Sequence, residues 1–226
     1  MSAQTESFAK LLDSPSRLDA ERPALPELER DQLDIEDFDP DTISLDPGSI
    51  DVAAAERAVG DLLRALGRDL DDPHLSDTPR RVAGAFQEML TPRPANWTTF
   101  PNEDGYAELV LVRNVPFHSL CQHHLLPFRG VAHIGYLPAD RLFGLSKLAR
   151  GLELFSRDLQ VQERLTRQLA DWLVDTLNPR GVGVVLEAEH MCMSLRGVQA
   201  SGTVTRTSTF YGELSTSGPL RDQFPH

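Results

Sequence analysis

The stretch Phe117-His-Ser-Leu-Cys-Gln-His-His-Leu-Leu-Pro127 holds one of the two cysteines of the chain beside two histidines. Cys121 and His124 stand three positions apart, a spacing that lets one tight turn direct a thiolate and an imidazole at one ion. The second cysteine, Cys192, ends the segment Glu189-His-Met-Cys. Two sulfurs and one nitrogen suit Zn²⁺, and three protein ligands leave the fourth tetrahedral position to water, as in catalytic zinc sites. We therefore predict a zinc site built from Cys121, His124 and Cys192.

Two other interpretations of these cysteines stay open at this point. Cysteine is often a small buried apolar residue, and histidine can be a satisfied polar residue of a core. A disulfide between Cys121 and Cys192 is the second alternative, but two cysteines are few for a disulfide framework. The proximity of a histidine to each cysteine favours the metal site. His123 and His190 flank the ligands without being needed as ligands, which leaves them available to move protons.

Charge is distributed unevenly along the 226 residues, whose net charge is −12. Residues 1–50 hold 13 acidic and 4 basic residues and five prolines, which predicts a disordered acidic tail. The rest is nearly balanced, with no basic stripe of the kind that binds nucleic acid, so we expect no nucleic-acid partner. No apolar run approaches the roughly 18 residues of a membrane span, and the first residues do not resemble a secretory signal. We expect a cytoplasmic protein with reduced thiols and no membrane partner.

The pattern after residue 50 predicts an α+β fold, an antiparallel sheet with helices on one face. An N-terminal helical section over 51–92 comes first, with one helix from Val52 that Gly67 ends and a second with Thr78 as N-cap. A loop follows over 92–106. The catalytic domain over 93–226 then has the order β-β-α-α-β-β, predicted as strands at 108–115, 130–136, 182–187 and 203–211 and helices at 145–155 and 163–177.

Four motifs together resemble the GTP cyclohydrolase I family, over roughly residues 52 to 212. They occur in the family's order and are Cys121-Gln-His-His-Leu-Leu-Pro-Phe128, Gly144-Leu-Ser-Lys-Leu-Ala-Arg150, Gln160-Val-Gln-Glu-Arg-Leu-Thr166 and Glu187-Ala-Glu-His-Met-Cys-Met-Ser-Leu-Arg-Gly197. The resemblance implies the tunnelling fold, in which sheets of several subunits close into a barrel, usually a decamer, with active sites between subunits. A homo-oligomer is therefore expected.

The resemblance also implies a reaction and its residues. The family hydrolyses GTP at C8 of the purine, releases formate and forms 7,8-dihydroneopterin triphosphate for tetrahydrofolate and pterin biosynthesis. It implies His123, His190 and Ser146 as catalytic residues, with Ser146 assisting ribose opening. The substrate-binding residues that it implies are Glu163 for guanine, Lys147, Arg150 and Arg196 for the triphosphate, and Gln162. Arg81 of another subunit would add a phosphate contact.

Two departures from the family's usual pattern bear on the product. Gln122 stands where the motif commonly has glutamate, and Ala200 stands where many relatives have lysine, while Arg206 and Tyr211 are also unusual.

Three other functions stay open beside GTP cyclohydrolase I. They are a paralogue that opens GTP for a deazapurine or other specialised pathway, a tunnelling-fold nitrile reductase with a nucleophilic cysteine, and a non-enzymatic nucleotide-binding module with structural zinc. Product identification, metal analysis and a formate assay separate them.

Overall fold

The structure is a computed structural model that describes residues 50–225. The predicted acidic tail over 1–50 lies outside the described residues, except for Ile50, and with the domain boundaries it stays a prediction. The helices and strands, in chain order, are α1 Val52–Ala65, α2 Thr78–Leu90, β1 Thr99–Pro101, β2 Val110–Cys121, β3 Pro127–Leu137, β4 Arg141–Phe143, α3 Leu145–Ser156, β5 Leu159–Gln160, α4 Gln162–Leu177, β6 Gly181–His190, α5 Met191–Ser194 and β7 Thr205–Gly212.

The two N-terminal helices form where the sequence predicts them, with one correction. The Asp51 carboxylate accepts a hydrogen bond from the Ala54 N–H at 2.8 Å and caps α1, and Gly67 follows its end at φ +73°. For α2 the predicted N-cap, Thr78, was wrong. The N-cap is Asp77, whose carboxylate accepts from the Arg80 guanidinium and makes no cap hydrogen bond to the backbone.

The main sheet has five strands in the order β5-β2-β3-β6-β7. The pairs among β2, β3, β6 and β7 are antiparallel, and the two-residue β5 joins β2 in parallel. The strands are longer than the sequence pattern indicated, since β2 continues to Cys121 and β6 continues to His190. Both metal-site segments therefore begin where a sheet strand ends, which gives them a rigid support.

Helices α3 and α4 cover one face of this sheet and form the main core with it. Gly151 of α3 lies against Trp172 of α4, where an added Cβ atom would come within 2.3 Å of the indole ring. Only glycine therefore allows the two helices to lie this close. The opposite sheet face is partly covered by the C-terminal segment, which buries Leu214 and Phe224 beside Leu137 and Val185. The predicted α+β class with helices on one face is confirmed.

The segment predicted as a loop over 92–106 contains a strand that the sequence did not indicate. Strand β1 pairs antiparallel with β4 and forms a separate two-stranded sheet. Three residues that include a proline are too short to give a periodic pattern. No helix in the region 50–225 is both long and apolar enough to span a bilayer.

Candidate metal centre and active site

The turn between β2 and β3 presents Cys121 and His124 from one compact loop. The Cys121 carbonyl accepts from the N–H groups of His124 and Leu125, at 3.2 and 2.8 Å, and the Cys121 N–H donates to the Leu126 carbonyl at 2.9 Å. Leu125 takes a left-handed backbone conformation at φ +55°, which closes the turn. The three-residue spacing thus gives the geometry that the sequence predicted.

Strand β5 supports the same turn from its other side. Cys121 is paired with Gln160 in the parallel β2–β5 register, and the Gln122 N–H donates to the Gln160 carbonyl at 3.0 Å. Gln160 is buried, and it lies two residues before Gln162, where α4 begins. The turn that carries Cys121 is therefore fixed to the start of α4.

The second cysteine reaches the turn because β6 ends beside it. The antiparallel β3–β6 register pairs Phe128 with His190, and the short helix α5 then carries Cys192. The Cys192 and Cys121 sulfurs lie 3.9 Å apart, and the Cys121 sulfur lies 3.6 Å from His124 Nδ1. All three ligand atoms lie within 4.8 Å of one another.

These spacings fit a tetrahedral zinc ion. Two sulfurs at about 2.3 Å from zinc stand about 3.8 Å apart at the tetrahedral angle, and a sulfur and a nitrogen about 3.5 Å apart. Both cysteines are free thiols, and their sulfur separation is far beyond the roughly 2.05 Å of a disulfide. Burial raises the pKa of the Cys192 thiol, and the adjacent Cys121 thiol raises it further. A bound cation would favour both thiolates and offset that cost.

His190 is held in one orientation beside the cluster. Its ring stacks on Phe128 with centroids 4.6 Å apart and planes 3° apart, and its Nε2 lies 2.8 Å from Gln162 Oε1. Burial lowers the pKa of the His190 imidazole, and the Glu163 carboxylate opposes this shift in part. His123 is exposed, with its Nδ1 3.9 Å from the Cys121 sulfur. Neither His190 nor His123 belongs to the three-residue ligand group.

One cavity of about 220 Å³ brings most of the predicted site residues together. Glu163 lies at its edge in the first turn of α4, where the helix dipole favours a carboxylate. The predicted residues that line it are Cys121, His123, His124, Gln162, Glu163, His190 and Cys192, joined by Gln160, Val161, Met193 and Thr205. Three of the four motifs, those that contain Cys121, Gln162 and Cys192, thus converge although they are far apart in sequence.

The predicted phosphate-binding residues lie elsewhere on the chain. Ser146 and Arg150 line a second cavity, of about 400 Å³, beside Arg93 and Arg157 of the same chain. The Lys147 ammonium donates to the Asn96 side-chain oxygen. The second cavity shares no lining residue with the metal cavity. Within one chain, therefore, the structure does not bring Ser146 and Arg150 to the ligand cluster.

The two remaining predicted cations also lie apart from the metal cavity's lining. Arg196 is exposed two residues after α5. Its positive charge partly opposes the rise in the pKa of the Cys192 thiol. Arg81 is exposed on α2 and donates to the His74 carbonyl. Both guanidinium groups are accessible for a ligand that approaches from outside the cavity.

The four residues that are unusual for the family have different surroundings. Gln122 has an exposed side chain, and Ala200 donates its N–H to the Met193 carbonyl at 3.0 Å. Arg206 donates to the Pro225 carbonyl and so holds the C-terminal segment, and the Tyr211 hydroxyl donates to the Asp171 carboxylate at 2.7 Å. Arg206 and Tyr211 therefore have structural partners outside the metal cavity.

Sequence reasoning missed two groups of residues that shape the site. Phe128 closes the first motif, but its role as the stacking partner of His190 depends on the β3–β6 register. Thr205 and Thr207 of β7 accept hydrogen bonds from Gln162, which is buried. The threonine-rich character of β7 indicated a strand and gave no sign of these contacts.

Comparison with known proteins agrees with this geometry. The profile of the family described as GTP cyclohydrolase I matches residues 55–226. A GTP cyclohydrolase 1 from Allorhizobium ampelinum is 50% identical over 175 residues, covering 75% of this chain and 87% of the relative. Those from Mycolicibacterium paratuberculosis and Streptomyces coelicolor are each 49% identical, covering 80% and 74% of this chain and 92% and 86% of the relatives. The chain therefore belongs to the GTP cyclohydrolase I family.

Proposed function

We propose that this enzyme hydrolyses GTP at C8, releases formate and forms 7,8-dihydroneopterin triphosphate for tetrahydrofolate and pterin biosynthesis, with a zinc ion held by Cys121, His124 and Cys192. The observation that carries the proposal is the ligand cluster itself, whose spacing suits zinc and which shares one cavity with Glu163 and His190. Because the two thiols must stay reduced, the proposed setting is the cytoplasm.

The residues around the cluster suit the demands of this reaction. When bound, the zinc ion supplies a water molecule with a pKa lowered to about 7. Phe128 and Gln162 fix the orientation of His190, and His123 is exposed. Both histidines would transfer protons to and from the purine nitrogens. Histidine suits this role because its ordinary pKa lies near neutrality. Ser146 would assist ribose opening.

We further propose that the complete site is shared between subunits of a homo-oligomer. The metal cavity, about 220 Å³, is smaller than the usual 300–1,000 Å³ of a small-molecule site. The cations expected to hold the triphosphate, Lys147 and Arg150, lie outside its lining. A neighbouring subunit would bring its own Ser146, Lys147 and Arg150 to the cavity, and Arg196 would contribute from the chain that holds the metal. A decamer, as the family implies, is the proposed assembly.

The guanine base would be read by Glu163. Its carboxylate can accept two hydrogen bonds, from the ring N–H and the amino group of guanine, whereas adenine lacks this pair of donors. The phosphate-binding cations cannot distinguish the two nucleotides. A bound base would cover this exposed carboxylate, and an unpaired buried polar group costs about 1–3 kcal/mol, and more if it is charged, so discrimination of at least about tenfold to 100-fold is expected.

The purified enzyme is expected to release formate from GTP with negligible release from ATP. Glu163→Ala is expected to lower GTP turnover by at least about tenfold while zinc content and melting temperature stay unchanged. Glu103→Ala, which removes an exposed acid from the loop after β1, serves as the control. Equal rates with GTP and ATP, or full activity of Glu163→Ala, would remove Glu163 from base recognition. Formate release without a pterin product would favour the specialised-pathway paralogue.

A further inference from the structure

We propose that Gln162 is a positioning residue that fixes the orientation of His190 and the ring nitrogen that carries its hydrogen, and that it does not bind the substrate. The inference rests on the proposed function, because it concerns a histidine assigned to that reaction. It changes the role that the sequence motif implied for Gln162. The basis is a closed set of hydrogen bonds that joins α4 to β6 and β7.

The amide nitrogen of Gln162 has only acceptors around it. Its Nε2 lies 3.1 Å from the Leu186 carbonyl, 3.0 Å from the Thr205 carbonyl and 3.1 Å from the Thr207 hydroxyl. An amide nitrogen donates two hydrogens and accepts none. A flipped amide would place its oxygen against two carbonyl oxygens, so the orientation of the amide is determined by its surroundings.

Two threonine hydroxyls complete the arrangement and fix its direction. Thr166 Oγ1 donates to the Gln162 backbone carbonyl at 2.7 Å, which uses its single hydrogen. Thr166 Oγ1 also lies 2.6 Å from Thr207 Oγ1, so Thr207 must be the donor of that bond. The Thr207 oxygen then faces Gln162 Nε2 as an acceptor beside the Leu186 and Thr205 carbonyls, and the two amide hydrogens are shared among these three acceptors. The hydrogens of the two hydroxyl groups therefore each have one place.

The orientation of the Gln162 amide also determines which nitrogen of His190 carries a hydrogen. Because Nε2 of Gln162 is occupied, only Oε1 can face the imidazole, and Oε1 is an acceptor. His190 Nε2, at 2.8 Å, therefore carries the hydrogen and donates it. In the neutral ring the lone pair is then on Nδ1. Stacking on Phe128 fixes the ring plane as well, so hydrogen placement and orientation are both set before the substrate binds.

A direct role in substrate binding is hard to reconcile with these contacts. The Gln162 residue is only 1% exposed, and both hydrogens of its amide are engaged by the protein. A substrate contact would require breaking bonds to β6 or β7. Glu163, the next residue, is exposed and is the one that remains available to the base.

Steady-state kinetics of the zinc-loaded Gln162→Met enzyme tests this role. The variant is expected to keep one zinc per chain, to lose at least about tenfold in kcat and to keep KM for GTP within about threefold. Gln168→Met, on the same helix but bonded to Gln160, is the matched control and should retain wild-type kcat. A rise in KM with unchanged kcat would assign Gln162 to substrate binding and overturn the inference, as would wild-type kinetics.

A second pair of variants isolates the hydroxyl cycle. Thr166 and Thr176 both donate to the carbonyl four residues earlier on α4, but only Thr166 also meets Thr207. Thr166→Val should lower kcat by about twofold to tenfold, and Thr176→Val should not change it. Equal effects of the two substitutions would contradict the coupling through Thr207.

Hydrogen placement can be read without any variant of Gln162. Nitrogen-15 spectra of the histidines in the zinc-loaded wild-type enzyme, assigned with His190→Ala, should show the hydrogen of His190 on Nε2. A hydrogen on Nδ1 alone would overturn the inference even if Gln162→Met failed to fold. The proposed function can fail independently of this inference. It would fail if the wild-type enzyme released no formate from GTP while the spectrum still showed the His190 hydrogen on Nε2.

Discussion

Cys192→Ser is expected to lower the zinc affinity by more than about 100-fold and to abolish formate release from GTP. Substitutions that only support a metal ligand already cost about 10-fold to 100-fold in affinity, and this one removes a ligand. Serine keeps the size of the side chain but replaces a thiolate by a hydroxyl that stays protonated. The sulfur it removes lies 3.9 Å from the Cys121 sulfur in the ligand group. The measurements are metal content after dialysis and formate release.

Met193→Leu provides the control for this substitution. Met193 follows Cys192 in α5 and contacts the same cavity, but it contributes no atom to the ligand group. The control should bind zinc normally, which would show that disturbing α5 is not itself enough to release the metal. Full zinc content in Cys192→Ser would refute the assignment of Cys192 as a ligand.

The second large effect is expected from mixing two inactive variants. Cys192→Ser damages the metal cavity, and the double variant Lys147→Ala/Arg150→Ala damages the proposed phosphate site outside that cavity. Each variant alone should lose at least about 100-fold in kcat/KM, since charge-assisted contacts to phosphate are among the stronger polar contacts. If each active site takes its two halves from different subunits, random co-assembly leaves about one site in four intact.

Coexpression of the two chains should therefore restore about one quarter of the wild-type formate release. The control pairs Cys192→Ser with His124→Ala, because both substitutions damage the same cavity and no combination of subunits is intact. Recovery in the first mixture and none in the second would support a shared site. No recovery in either would mean that Lys147 and Arg150 serve the metal cavity of their own chain.

Much of the fold follows from local patterns in the sequence. Apolar periodicity predicted α1, α3 and α4, alternation or β-rich composition predicted the four long strands, and Gly67 indicated the end of α1. The N-cap of α2 was placed one residue too far along, because Thr78 and Asp77 are both good capping residues. Strand β1 was missed, since its three residues depend on a partner that lies about 40 residues later.

The candidate site was predictable to the extent that each motif is local. Cys121 and His124 meet through one turn, so their spacing alone indicated a shared ion. Their meeting with Cys192 depends on the register in which β3 pairs with β6, which local sequence does not specify. The contacts of Gln162 depend on β6 and β7 in the same way. The motif marked Gln162 as functional, but only its surroundings indicate a positioning role.

The central claim is that a zinc ion held by this cluster is needed for hydrolysis of GTP, and a zinc titration tests it most directly. Metal-free enzyme would receive zinc in steps, with formate release and bound zinc measured at each step. We predict that formate release is absent without zinc, rises in proportion to bound zinc and reaches its maximum at one ion per chain. Full formate release by the metal-free enzyme would contradict the account.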